Sequence, residues 1–300
     1  MKGAILTHNS GMKRLLIIGC GFTARRAAPL LNRHYRLYAL VRNETQKAEL
    51  SALGITPVSG DLDDRASLSR IAGLADVVLH LAPPAGEGAR DSRTMHLLAA
   101  LSQGVLPKCF VYISTSGVYG DCGGDWIDET RALNPQTGRA QRRVDAELQI
   151  RDWARRNGVG ASILRVPGIY AENRMPLDRI RVSMPAIVAD EDGYTNHIHA
   201  DDLVRIIVAA LRNGKPNRVY HASDDSQMKM GEYLDAVADA YRLRRPPRIT
   251  REKAQRTLPD TLLSFMNESR RLNNGRMKKE LKIKLRYATV ADSLALVKGA

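Results

Sequence analysis

The run Gly19-Cys20-Gly21-Phe22-Thr23-Ala24 carries the first chemistry in the chain. Its leading glycine allows a tight turn, and the second glycine lets an anion approach the backbone. A small residue at the end lets the following helix pack close. The run sits between an apolar strand-like stretch, Leu15 to Gly19, and a helical pattern, Thr23 to His34. Its amides therefore open a helix and are expected to cradle a diphosphate. The second chemistry-bearing position is Arg42, followed by Asn43, at the end of the next strand-like run, Arg36 to Arg42. An acidic residue there would grip the ribose 2′-hydroxyl of NAD, whereas a guanidinium suits the 2′-phosphate of NADP. The pair predicts NADP(H) in preference to NAD(H).

Strand-like runs must position these residues, and they alternate with helical patterns. After the first βαβ unit come Ile55 to Asp61, Asp76 to Ala82 and Lys108 to Thr115, separated by helical stretches over Leu62 to Leu74 and Arg93 to Gly104. A further helix is expected over Arg139 to Asn157, and a sixth strand over Gly160 to Tyr170. Such alternation predicts an α/β fold, a Rossmann-type doubly wound parallel sheet covered on both faces. The expected organisation is a dinucleotide-binding domain over 12–170 and a smaller mixed C-terminal substrate lobe over 171–300, interleaved with the core. Helices are expected in that lobe near Ala200 to Arg212, Gly231 to Tyr241 and Asp260 to Phe265. Residues 1–11, before Met12, read as a disordered extension.

Composition narrows the function classes. The chain has 300 residues, 44% hydrophobic and 26% charged, so it can bury a full α/β core. No apolar run reaches the length of a membrane span, and the N-terminus lacks the pattern of a secretory signal. A cytoplasmic protein is expected. Cys20, Cys109 and Cys122 are too few and too irregular for a disulfide framework or a metal site. The formal charge is +14, and fifteen Lys or Arg fall between Arg242 and Arg286. That field favours anionic partners: a phosphorylated cofactor, an acidic small-molecule substrate or a nucleic acid. The last is disfavoured, because no aromatic residues interleave with the arginines. A monomer or homodimer is expected.

In its motifs the chain resembles the extended and atypical short-chain dehydrogenases, often called NAD-dependent epimerase/dehydratase proteins. The resemblance runs from about Met12 to Val297. Gly60-Asp61-Leu62 looks like the family's adenine-contacting segment, and His80-Leu81-Ala82 like its fourth-strand segment beside the cofactor. The stretch Tyr112 to Gly120 is similar to the one carrying the family's active-site Ser or Thr, which falls on Thr115. Arg165-Val166-Pro167-Gly168-Ile169-Tyr170 looks like the strand and turn that meet the nicotinamide. The segment His197 to Leu203 and the tail from Ser269 to Leu285 match further family patterns.

One departure bears on the reaction. Family members that oxidise or reduce an alcohol carry a Tyr-x-x-x-Lys pair on the helix after the Ser/Thr strand, and here Arg139 and Arg143 fall on those positions. Arginine can orient an anion or stabilise an oxyanion, but it stays protonated and cannot exchange a proton. Arg143 can still anchor the ribose in place of Lys. Thr115 remains able to bond a substrate carbonyl, and Tyr119 and Tyr170 are candidate substitute acids. The resemblance therefore implies an NADP-dependent oxidoreductase or epimerase/dehydratase, with a small polar or acidic substrate between the lobes near Thr115 and Arg139. The broken pair equally implies a non-catalytic NADP(H)-binding sensor or scaffold, and a nucleic-acid-binding protein is the third reading.

Other polar clusters read as structural. His197 and His199 alternate along a short strand without a third ligand, so no metal site is expected. Asp201 and Asp202 read as N-terminal caps of the helix that follows. Asp128-Glu129 is a candidate for the cleft lining, with surface solvation the commoner fate.

Overall fold

The first apolar run becomes a strand, β1 (Arg14–Ile18), whose side chains alternate between two cores. Leu15 and Ile17 pack on one face of the sheet, Leu16 and Ile18 on the other, and all four are fully buried. Burial on both faces is why the run is continuously apolar. The computed structural model describes residues 11–298, so the expected N-terminal extension lies, apart from Gly11, outside the described residues.

Six more strands join β1 in a parallel sheet: β2 (Arg36–Val41), β3 (Ile55–Ser59), β4 (Val77–His80), β5 (Cys109–Thr115), β6 (Gly160–Val166) and β7 (Arg218–His221). Their spatial order is 7-6-5-4-1-2-3. The chain runs outward from β1 to β3, then returns past β1 to continue through β4. Between β1 and β4 the connections diverge, which opens a crevice beyond the carboxyl ends of these strands. One face carries α1 (Phe22–Leu31) and a later helix over Ala200–Asn213; the other carries Ser92–Leu101 and the long helix Gly138–Asn157. Thr137 caps the long helix, its hydroxyl accepting from the Ala140 amide at 3.2 Å, and Gly158 ends it in the left-handed conformation.

The expected α/β doubly wound sheet is the observed one, with local differences. The predicted sixth strand, Gly160 to Tyr170, breaks at Pro167, which has no N–H to give a ladder. Gly168–Tyr170 leaves the main sheet and pairs in parallel with His197–His199. The place beside β6 is taken by β7, which the sequence reading assigned to no strand. A helix over Thr45–Ala52 was also unforeseen, and the stretch after Leu62 forms a 3-10 helix, Arg65–Ile71.

Asp201 and Asp202 are not the caps expected of them. His199 is the N-cap of Ala200–Asn213, its Nδ1 accepting from the Asp201 amide at 3.2 Å. Asp202 is fully buried and accepts the amides of Arg286 and Tyr287 at 2.9 and 2.8 Å, tying the C-terminal segment to this helix. Glu129 likewise departs from solvation. It is buried, accepts the His221 amide at 3.1 Å and pairs with Arg276 at 3.3 Å, while Asp128 stays exposed. Among the described residues no helix is long and apolar enough to cross a membrane.

Candidate active site

The crevice begins at Gly19, whose φ of +87° and close quarters both require glycine. A Cβ there would stand 2.5 Å from the Ala82 nitrogen, so the turn after β1 lies directly against the turn after β4. Gly21 differs. Nothing lies within 4 Å of where its Cβ would stand, because it faces the crevice. It is the N-cap of α1, which has no side-chain cap and no acidic residue in its first turn. The opening amides of α1 are thus left for an anion. The residues present fit a dinucleotide diphosphate.

On the β2 side of this loop, where the family resemblance puts the adenine half of a cofactor, is a cavity of about 290 Å³, lined by Gly19, Cys20, Gly21, Arg42, Asp61, Leu62, Leu81 and Ala82 together with Gln46 and Arg93. Arg42 is exposed at its rim; it forms no ion pair among the described residues, though its charge helps to lower the pKa of Asp63. Asn43 does not line it. Asp61 spends one oxygen on its own turn, accepting the Asp63 amide at 3.0 Å. Arg93 was not singled out from sequence. It grips Asp63 with two bonds of 2.7 and 2.6 Å and holds that carboxyl below its usual range.

On the other side, Phe22, Thr23, Thr115, Arg139, Arg143, Val166, Pro167 and Arg174 line a cavity of about 260 Å³. It adjoins a larger one, about 580 Å³, and Thr115, Arg139, Pro167, Ile169 and Arg174 face both. Gly168 lines the larger cavity only. Thr115 ends β5 and caps the next turn, its hydroxyl oxygen accepting the Gly117 amide at 3.2 Å. Arg139 lies in the first turn of Gly138–Asn157. The surrounding walls first, and Arg143 second, lower its pKa. Arg143, one turn on, is buried; it donates to the Tyr112 hydroxyl at 2.8 Å and the Ile113 carbonyl at 2.9 Å. Its Nε has no protein partner.

Neither tyrosine considered as a substitute acid presents its hydroxyl to Thr115 and Arg139. Tyr119 lies outside all three cavities, 1% exposed, with its oxygen 2.6 Å from both the Arg165 guanidinium and His221 Nε2. Burial pushes its pKa up to about 12. Arg165 in turn meets Glu147 at 2.6 Å, and Ser114 donates to the same carboxylate at 2.6 Å. This buried chain is the structural frame behind β5. The Tyr170 ring lines the large cavity, but its hydroxyl reaches away to the Thr289 carbonyl, 3.4 Å distant. Burial, and next the nearby Asp224, raise its pKa strongly.

Distant segments supply the rest of the large cavity. Arg179 and Arg270 add positive charge, and Arg270 is partly neutralised by Glu268 at 2.8 Å. Arg179 has no carboxylate within ion-pair reach among the described residues, and both arginines keep an Nε without a protein partner. His197 is 5% exposed and stacks on Tyr233 with ring centres 4.0 Å apart; desolvation holds its pKa at about 3. Among the described residues no three His, Cys, Asp or Glu side chains gather as a metal-ligand set. Nor are the late arginines without aromatic neighbours. Arg271 lies over Trp126 and Tyr194, at 5.3 and 4.5 Å, both brought from remote segments.

Comparison with known proteins bears on the family and the fold. Residues 15–223 match the model of the NAD dependent epimerase/dehydratase family. Among curated proteins the chain is 26% identical over 211 residues to a dTDP-glucose 4,6-dehydratase of Streptomyces antibioticus, covering 62% of this chain and 61% of that protein. It is 21% identical over 143 residues to the human dTDP-D-glucose 4,6-dehydratase, covering 45% of this chain and 41% of that one. The match thus spans about three fifths or less of these relatives' length. Solved structures align over nearly the whole chain. A functionally unknown conserved protein from Silicibacter pomeroyi has a TM-score of 0.78 at 26% identity, covering 96% of this chain and 98% of that one. A dTDP-glucose 4,6-dehydratase from Streptomyces venezuelae, solved with NAD bound, has a TM-score of 0.76 at 21% identity, covering 95% and 96%, and shares the fold. By the extent of its family match, the chain belongs to the NAD-dependent epimerase/dehydratase family.

Proposed function

We propose that the chain binds NADP(H) and acts on a small acidic substrate as an oxidoreductase or epimerase/dehydratase. The observation that carries this reading is the meeting of two cavities at Thr115 and Arg139: one opens on the glycine turn, the other is walled by guanidinium groups. Arg42, exposed at the rim of the adenine-side cavity and in no ion pair among the described residues, supports the phosphorylated form of the cofactor. A nicotinamide dinucleotide bound there supplies hydride exchange. Thr115 then hydrogen-bonds the reacting oxygen of the substrate. Arg139 orients an anionic substituent or stabilises developing negative charge beside it. Arg143, fixed by Tyr112 and Ile113, holds the ribose side of the site.

Arg179, Arg270 and Arg139 give the larger cavity a charge suited to a carboxylate or phosphate. The similar dehydratases are named for a dTDP-sugar, and a sugar nucleotide belongs to the same charge class. Residues 12–170, joined by Ala200–Asn213 and β7, act as the cofactor domain, and the rest of 171–300, interleaved with it, as the substrate lobe, in a cytoplasmic monomer or homodimer.

A second reading rests on Arg139 itself. It sits where dehydrogenases of this family carry their proton-exchanging tyrosine, and the Tyr119 and Tyr170 hydroxyls are bonded elsewhere. On that reading the chain binds NADP(H) without turnover, as a sensor or scaffold. Following NADPH absorbance at 340 nm against aldehydes, ketones and sugar nucleotides separates the two. Turnover supports the enzyme. Binding without turnover, unaltered in Arg139→Tyr, supports the sensor.

A further inference from the structure

The loop after Gly168–Tyr170 crosses in front of α1 and is tied to its first turns. Glu172 accepts two bonds from Arg26, at 3.0 and 3.2 Å, and Arg26 is further held by Asp201 at 2.6 Å. Two residues on, Arg174 lies over the ring of Phe22, 4.7 Å from its centre. Phe22 is the first residue of α1 and follows directly on Gly21. Among the described residues no carboxylate pairs with Arg174; the adjacent Glu172 is taken by Arg26. Arg174 lines both the cavity beside Phe22 and Thr23 and the substrate cavity, and it is absent from the adenine-side one.

From this arrangement we infer that Arg174 is a clasp for the cofactor, closing over its nicotinamide-side phosphate from the substrate lobe. The inference rests on the dinucleotide reading above and adds a residue to it. The physical case is one of unspent charge. An exposed guanidinium seated on an aromatic ring keeps its edge donors free, and the stacking fixes where they point. The α1 amides meet a diphosphate from one side, and Arg174 stands where it meets the same group from the other. Charge-assisted contacts of this kind are stronger than neutral ones. The substrate cavity has Arg139, Arg179 and Arg270 for its own anion. The Glu172–Arg26 tie keeps the loop, and Arg174 with it, beside the first turns of α1.

Titration calorimetry on the full chain tests this with three ligands: NADPH, NADH and adenosine 2′,5′-bisphosphate, which lacks the nicotinamide-side phosphate. Arg174→Gln should weaken both dinucleotides by about tenfold or more and leave the bisphosphate within about twofold. Arg174→Lys should recover part of the loss, since it restores charge without the planar fork. The melting temperature of the ligand-free variant should match the parent, because the side chain is exposed. Dinucleotide affinities unchanged in Arg174→Gln overturn the clasp alone, and so does an equal loss for all three ligands. Loss of an added phosphate or carboxylate ligand with dinucleotides unaffected would assign Arg174 to the substrate instead. If the parent chain takes up neither dinucleotide, the cofactor reading falls and the clasp with it.

Discussion

Arg143 reaches from the second turn of its helix to the Tyr112 hydroxyl, 2.8 Å away, and the same nitrogen also meets the Ile113 carbonyl at 2.9 Å. Its guanidinium is therefore built into β5, while Arg139, four residues earlier, stays at the cavity mouth. The two arginines share a helix face but differ in what they touch: Arg143 is fixed in the wall, and Arg139 lines the cavities.

This division predicts different losses. Arg143→Leu leaves a buried hydroxyl and a buried carbonyl without their donor, at about 1–3 kcal/mol for each unsatisfied group. We expect urea denaturation to show a stability loss of about 2 kcal/mol or more, reduced in Arg143→Lys, which retains a donor. Arg139→Leu should be near neutral in the same assay. Equal stability of Arg143→Leu and the parent would contradict the anchoring role.

Acid should destabilise the fold earlier than carboxylate protonation alone requires. His80, His197 and His221 are buried, and desolvation is the first cause holding each near pKa 3. The unfolded chain protonates its histidines around pH 6.5, so between about pH 6.5 and 3 it binds more protons than the native state. Stability must then fall as pH falls through that window. Asp224 opposes the trend with up to one proton, because burial raises its pKa to about 7; burial also raises Glu129 and Asp192. The balance still favours the histidines, by up to roughly two net protons or about 2.7 kcal/mol per pH unit. Urea midpoints measured from pH 7.5 to 4.5 should drop steadily. A flat or rising profile would mean that these rings are not neutral in the folded chain.

What was legible in the sequence was local. The glycine turn, the strand before it and Arg42 lie within one βαβ unit, and their spacing is fixed by the backbone they occupy. Thr115 was equally accessible, because it ends a strand and begins a turn. The rest depends on contacts between segments far apart in the chain. Arg174, Arg179 and Arg270 reach one cavity from a loop, a short helix and the C-terminal segment, and no spacing rule joins them. Tyr119 lay beside Thr115 in sequence, yet the 3-10 turn Ser116–Tyr119 buries it against His221. β7 escaped notice because four residues, Arg-Val-Tyr-His, are too short to show a period, and only pairing with β6 makes them a strand. Pro167 had the opposite character. Its missing N–H marked the break in the sixth strand, although the apolar run around it read as continuous.

On the proposed reading the adenine-side cavity takes a phosphorylated ribose, and Arg42 is the residue that tests it. Dissociation constants for NADPH and NADH should be measured for the parent chain and for Arg42→Asp. NADPH should bind the parent more tightly than NADH, and the loss in the variant should be at least about tenfold greater for NADPH than for NADH. Equal losses for the two nucleotides, or a parent chain that binds neither, would contradict it.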